Sequence, residues 1–185
     1  RDRLRSRGLG DVYKRQTQYW MRDNLEASSY VGGEALPRLD AVTANVVGYL
    51  QSTTEHYFYT ANVALSNKIL PIHWSIPDWK DWNILKDYLN GEASLLKSGT
   101  WLPLKAGEQV QPATNLSGFN GIPVGMYVGA FQTDYEKKHL AYWTLDNANA
   151  AIDIKVFYLK SDTDIIEESN AGVDTKAFAI RCIRK

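Results

Sequence analysis

The segment 76–91, IPDWKDWNILKDYLNG, constrains the fold more than any other stretch of the chain. Asp78 follows a proline and offers a carboxylate to the free backbone N–H groups of a helix start. Asp81, three residues on, completes a capping box with a side chain shorter than the usual Glu. Trp82, Leu85, Tyr88 and Leu89 then recur at helical spacing, and Asn90-Gly91 supplies a left-handed stop. The spacing predicts one amphipathic helix of about three turns over 78–90. After Gly91 the period changes. The segments 121–131, 140–146, 152–160 and 176–185 are aromatic and β-branched runs between polar turns, and they read as strands. Ile152, Ile154, Val156 and Tyr158 fall on one face of the third; Phe178, Ile180, Cys182 and Arg184 fall on one face of the fourth. The acidic stretch 161–175 between them reads as a turn region. A helix followed by antiparallel strands and long polar loops is an α+β pattern.

The first half of the chain is less decided. Residues 32–39 read as a turn, followed by a short helix over 38–50, and YFYTANVA at 57–64 suits either a strand or a helical turn. The length of 185 residues fits one domain, and 44% hydrophobic content is enough for a packed core. The formal net charge of zero is unevenly spread: residues 1–16 carry +4 and the remainder carries −4. An acidic body repels phosphate backbones, so no nucleic-acid partner is expected. The longest apolar run, at 122–131, is half the roughly 20 residues of a membrane-spanning helix, so no span is expected. Residues 1–16 have no apolar periodicity and resemble a translated sequencing-adapter artefact. They are expected to be a non-native or disordered leader before a single domain over 17–185.

Signals for catalysis are poor. His56, His73 and His139 lie far apart, and no nucleophile elbow or phosphate-binding glycine loop is present. The pairs Asp162/Asp164 and Glu167/Glu168 read as a solvated turn. The single cysteine, Cys182, rules out an internal disulfide and a cysteine-based zinc site. Its place in a strand predicts a buried, inert thiol. Of the six tryptophans, Trp20, Trp74, Trp82 and Trp143 are expected to pack in the core. Trp79 falls off the apolar helix face and Trp101 opens a long loop, so a binding role stays open for both.

Six segments appear in an order that resembles a known family. QYWMRDNL resembles a Q-x-W-M-x-x-N-L opening, and ILPIHWSIPDWKDWNILKDYLNG resembles C-P-x-G-W-x-[IL]-P-[ST] followed by W-x-x-L-x-x-Y-L-G. LLKSGTW, TNLSGFNGIPVGMY, AYWTLD and the terminal FAIRCIR are similar to its later elements. The family is the Fibrobacter succinogenes major paralogous domain. The resemblance covers about 18–184 and implies a C-type-lectin-like α+β fold with a twisted antiparallel sheet and long loops. It also implies a secreted or surface-anchored bacterial module, often in lipoproteins or adhesin-like proteins, with no assigned enzymatic activity. Formylglycine-generating oxidases share a related fold but depend on a pair of reactive cysteines, and this chain has one.

Two departures from the family pattern matter. Leu70 and His73 stand where C-P-x-G-W has cysteine and glycine, while Arg181-Cys182 keeps the terminal R-C. The resemblance implies that the usual cysteines form a disulfide that this chain lacks, with Leu70 expected to pack near Cys182. Sugar-binding C-type lectins hold calcium with E-P-N or Q-P-D followed by W-N-D. Here Gln111-Pro112-Ala113 lacks the carboxylate, and Asp146-Asn147 after Trp143 has the wrong spacing. No family-type metal site and no cofactor are expected, with a chance calcium in the 161–174 loop left open.

The expected function is a non-catalytic extracellular or cell-surface binding and adhesion module, whose partner is an unknown glycan or surface protein. Candidate ligand-binding residues are Tyr135 and His139 in one loop, and Asp146, Asn147 and Asn149 in the next. An aromatic ring with amides and a carboxylate suits sugar hydroxyls; it also suits an ordinary polar turn. The alternative is a structural tip or capping subunit of a bacterial surface appendage, for which an exposed apolar strand edge would argue.

Overall fold

The computed structural model describes residues 13–15, 18–130, 135–145, 154–171 and 175–184. In chain order the elements are β1 (Tyr13–Arg15), β2 (Gln18–Trp20), β3 (Tyr49–Gln51), β4 (Tyr57–Thr60), α1 (Ala61–Ser66) and α2 (Trp79–Tyr88). After a 3-10 turn at Ala93–Leu95 come β5 (Tyr127–Val128), β6 (His139–Thr144), β7 (Ile154–Lys160), β8 (Glu167–Ala171), β9 (Lys176–Phe178) and β10 (Ile183–Arg184). They form three sheets, ordered β1-β2-β10, β3-β4-β9-β5 and β6-β7-β8, and each paired strand runs antiparallel to its neighbour. The fold is mostly antiparallel sheet with few helices, an α+β architecture.

The β6–β7 ladder explains how one chain supports a core on both sides. All six residues of β6 are buried. Because side chains alternate along a strand, Leu140, Tyr142, Phe157 and Leu159 join one apolar cluster, whereas Ala141, Trp143 and Val156 join another. Trp82 of α2 and its C-cap Leu89 complete the first cluster, and Ala61, Val63 and Ala64 of α1 complete the second. The two helices therefore cover opposite faces of the same hairpin. Trp82 anchors the first face: its ring stacks on Phe157 at 3.9 Å and lies 4.5 Å from Trp20 and 5.8 Å from Tyr142. Trp143 anchors the second, donating from Nε1 to the Tyr59 carbonyl at 2.7 Å.

Helix α2 starts as the sequence predicts. Asp78 Oδ1 accepts from the Asp81 N–H at 2.9 Å, and Asp81 Oδ2 accepts from the Asp78 N–H at 3.0 Å. Asn90 and Gly91 stop it at φ 52° and 77°. The apolar face is narrower than expected, because Tyr88 is 41% exposed while Trp82 and Leu89 are buried. Among the tryptophans, Trp20, Trp82, Trp101 and Trp143 are buried. Trp74 and Trp79 are half-buried, and Lys155 Nζ sits 5.0 Å from the Trp79 ring.

The structure overturns or refines the sequence reading in five segments. Residues 38–50 form no helix: β-branched Val42, Thr43, Val46 and Val47 disfavour one, Asn45 sits at φ 62°, and the segment ends in β3. A Cβ on Gly48 would lie 2.5 Å from the Pro37 carbonyl oxygen, so this backbone approach admits only glycine. Residues 57–64 are strand and helix in succession, β4 running into α1. The 121–131 strand shrinks to β5 and isolated bridges at Gly121 and Gly125, and the acidic stretch 161–175 contains β8. The terminal strand is broken into β9 and β10. Phe178, Ile180 and Cys182 do share the second cluster, but Arg184 is exposed and Ile152 lies outside the described residues.

Between β9 and β10 the backbone changes partners: Ala179 bonds to Ala141 and Trp143 of β6, while the Ile180 and Cys182 carbonyls accept from Leu25 and Met21. Arg181 lies inside this crossing. Its side chain is 1% exposed and donates to the carbonyls of Met21, Arg22 and Phe119, to Asn24 Oδ1 at 2.7 Å and to the Tyr142 hydroxyl at 2.8 Å. The guanidinium also lies 4.4 Å from the Phe119 ring. One cation thus ties the segment after β2, the 119–120 loop and β6 together. Nearby, Ser75 and Ile183 exchange backbone hydrogen bonds at 2.8 and 2.9 Å, and Leu70 and Cys182 share the second buried cluster. Upstream of the expected boundary at 16–17, β1 pairs with β2 in register, Tyr13 opposite Trp20.

Candidate functional site

The turn before β6 brings two of the candidate residues together. Lys137 takes a left-handed φ of 62°, so the N–H groups of Lys138 and His139 both reach the Tyr135 carbonyl, at 3.1 and 2.9 Å. This turn sets the Tyr135 ring edge-on to His139, with centroids 4.7 Å apart and planes at 73°. His139 opens β6 directly opposite Lys160 at the end of β7. One strand further, Tyr158 faces Glu167 of β8, and Lys160 Nζ reaches Glu167 Oε2 at 2.5 Å. Together with Met126, Val128, Glu168 and Lys176, these side chains line one open cleft.

The cleft is polar without being uniformly charged. His139 is 8% exposed, and burial, helped by the positive charge of Lys160, lowers its pKa to about 4. It is neutral at pH 7, so it presents one donor and one acceptor rather than a cation. Its Nδ1 is buried and has no hydrogen-bond partner among the described residues. The Tyr158 phenol is pushed upward, first by burial and then by Tyr135, and stays protonated. Two tyrosine rings and the apolar Met126 and Val128 give the cleft flat apolar surface, and the phenols and the Lys160–Glu167 pair give it hydrogen-bonding groups.

Asp146, Asn147 and Asn149 lie outside the described residues. What the loop-by-loop reading missed is the contribution of the strands: Tyr158, Lys160, Glu167, Glu168 and Lys176. One signal was available. Val156 and Tyr158 share a strand face, and Lys160 continues that parity. Glu167 and Glu168 looked like a solvated turn, and only the β7–β8 register shows that they border the cleft.

Other reactive groups serve packing. Burial pushes the Cys182 thiol up to about 12. Lys97 is buried, and burial lowers its pKa; its Nζ donates to the Thr163 carbonyl at 2.6 Å. Asp164 accepts from the backbone N–H and hydroxyl of Ser94. Among the described residues no three His, Cys, Asp or Glu side chains gather into a set that could hold a metal ion, and no helix is long and apolar enough to cross a membrane.

No curated protein and no solved structure gives a significant match to this chain. The family model of the Fibrobacter succinogenes major domain matches residues 14–184, from within β1 to the end of β10. That span takes in α2 with its capping box, the Arg181-Cys182 terminus and the whole Tyr135–His139 cleft. The chain belongs to the Fibrobacter succinogenes major domain family.

Proposed function

We propose that this chain is a non-catalytic binding module of the extracellular space or cell surface, and that the Tyr135–His139 cleft takes a carbohydrate. The observation that carries this reading is the combination in one open cleft of two tyrosine rings, a neutral imidazole and an ion-paired lysine and glutamate. The α+β architecture with long loops agrees with a C-type-lectin-like module, and the cleft supplies sugar contacts without a calcium ion. An appendage-capping role by strand donation fits less well. The edge strand β8 reads Glu-Glu-Ser-Asn-Ala, and a polar, acidic edge resists pairing with another strand.

A glycan array probed with the protein, with and without EDTA, tests this reading. Binding to at least one glycan should persist in EDTA. Tyr135→Ala should weaken that binding roughly tenfold through lost ring contact. Silence across the array, or binding indifferent to Tyr135→Ala, would contradict it.

A further inference from the structure

A second feature lies on the far face of the hairpin and does not involve the cleft. Helix α2 turns Trp82 inward, with its C-cap Leu89 also buried, yet Lys80, Ile84, Asp87 and Tyr88 are all exposed. Their spacing of four, three and one residues places them in a single outward stripe. Beside the stripe runs an apolar groove walled by Leu85, Trp20, Met21 and Phe119, and Leu116, which precedes its lining residue Ser117, is 72% exposed. An exposed isoleucine and leucine around a groove with an aromatic wall is a surface that gains by being covered.

The charges say what covers it. Lys80 and Asp87 flank Ile84 on the stripe, and neither is ion-paired among the described residues. If a second α2 is laid antiparallel across the first on a two-fold axis near Ile84, Lys80 of each copy faces Asp87 of the other. Two opposite-charge pairs then bracket an Ile84–Ile84 contact. A single-signed stripe would repel its own copy; this one is complementary to itself, as an isologous interface requires. We propose that the chain self-associates through α2, with a second copy of this chain as the occupant of the stripe and the neighbouring groove. The patch is small, which sets the dimer at the weak end of specific association, in the micromolar range.

Sedimentation velocity on the full chain, from about 1 to about 200 µM, reads this directly. Wild type should show a reversible monomer–dimer equilibrium, and Ile84→Arg should remain monomeric across the range. Lys80→Glu and Asp87→Lys, each alone, replace two attractions by two repulsions and should weaken the dimer about tenfold. An equimolar mixture of the two variants restores both attractions in a heterodimer and should return to near wild-type affinity, a rescue that misfolded variants could not give. A wild type that stays monomeric throughout, or a mixture that associates no better than its separate variants, overturns the proposal.

Discussion

His73 adopts a φ of 70° on the exposed loop before α2, at the position where the family pattern carries glycine. The left-handed region costs an L-residue about 1–2 kcal/mol, whereas the extra freedom of an unfolded glycine returns about 0.4–1 kcal/mol of that. His73→Gly should therefore stabilise the fold by about 0.5–1 kcal/mol, seen as a higher urea midpoint at unchanged slope; a lower midpoint would contradict this. His139 makes the opposite kind of statement. Its folded pKa of about 4 lies below the ordinary value of 6.5, so between those limits the unfolded chain binds a proton that the folded chain does not. Stability is full above about pH 6.5 and declines as pH falls toward 4, by about 3 kcal/mol at most. Denaturation curves for His139→Phe should lose this component of the slope, and parallel pH profiles for the two proteins would contradict the assignment. Both residues look alike in sequence as lone histidines. What separates them is backbone conformation in one case and burial in the other.

At the scale of elements, α2 was the most legible part of the chain because everything that fixes it is local. Cap, apolar spacing and stop all lie within residues 78–91, and Asp78→Ala should cost about 1 kcal/mol in thermal or urea unfolding. An unchanged midpoint would mean that water replaces the cap without loss. Strands β6 and β7 were legible from their aromatic and β-branched runs. The strand β8 was not, because Glu-Glu-Ser-Asn-Ala has no strand-like composition and forms only by pairing along β7. The helix expected over 38–50 failed for a related reason. That stretch is held by long-range backbone contacts, with the Gly48 approach to Pro37 and the β3–β4 pairing outweighing any local periodicity. Arg181 gave no warning that it would be buried among backbone carbonyls, since those partners lie about 60 and 160 residues away in sequence.

At the scale of the whole molecule, two cores share one hairpin, and their closure depends on the terminal segment meeting the loop at 70–75. Leu70 and Cys182 lie in the same buried cluster, next to the Ser75–Ile183 bridge. Leu70→Cys, refolded in a redox buffer, should pair with Cys182. Closing a loop of about a hundred residues contributes up to about 4.7 kcal/mol, offset by about 1.5–3 kcal/mol of lost leucine burial. Thiol titration of the denatured protein should find no free cysteine; two persistent thiols would contradict the pairing. The candidate site was half legible at this scale. Tyr135 and His139 stand four residues apart and could be seen together, but Tyr158, Lys160, Glu167 and Lys176 arrive from strands whose register no local pattern sets. The claim that this assembled cleft takes a sugar is tested most directly by two-dimensional amide NMR during titration with neutral hexoses, N-acetylhexosamines and uronic acids. At least one class should shift resonances concentrated at Tyr135, His139, Tyr158 and Glu167, in the presence of EDTA. Shifts absent for every class, or centred on the α2 groove instead, would contradict it.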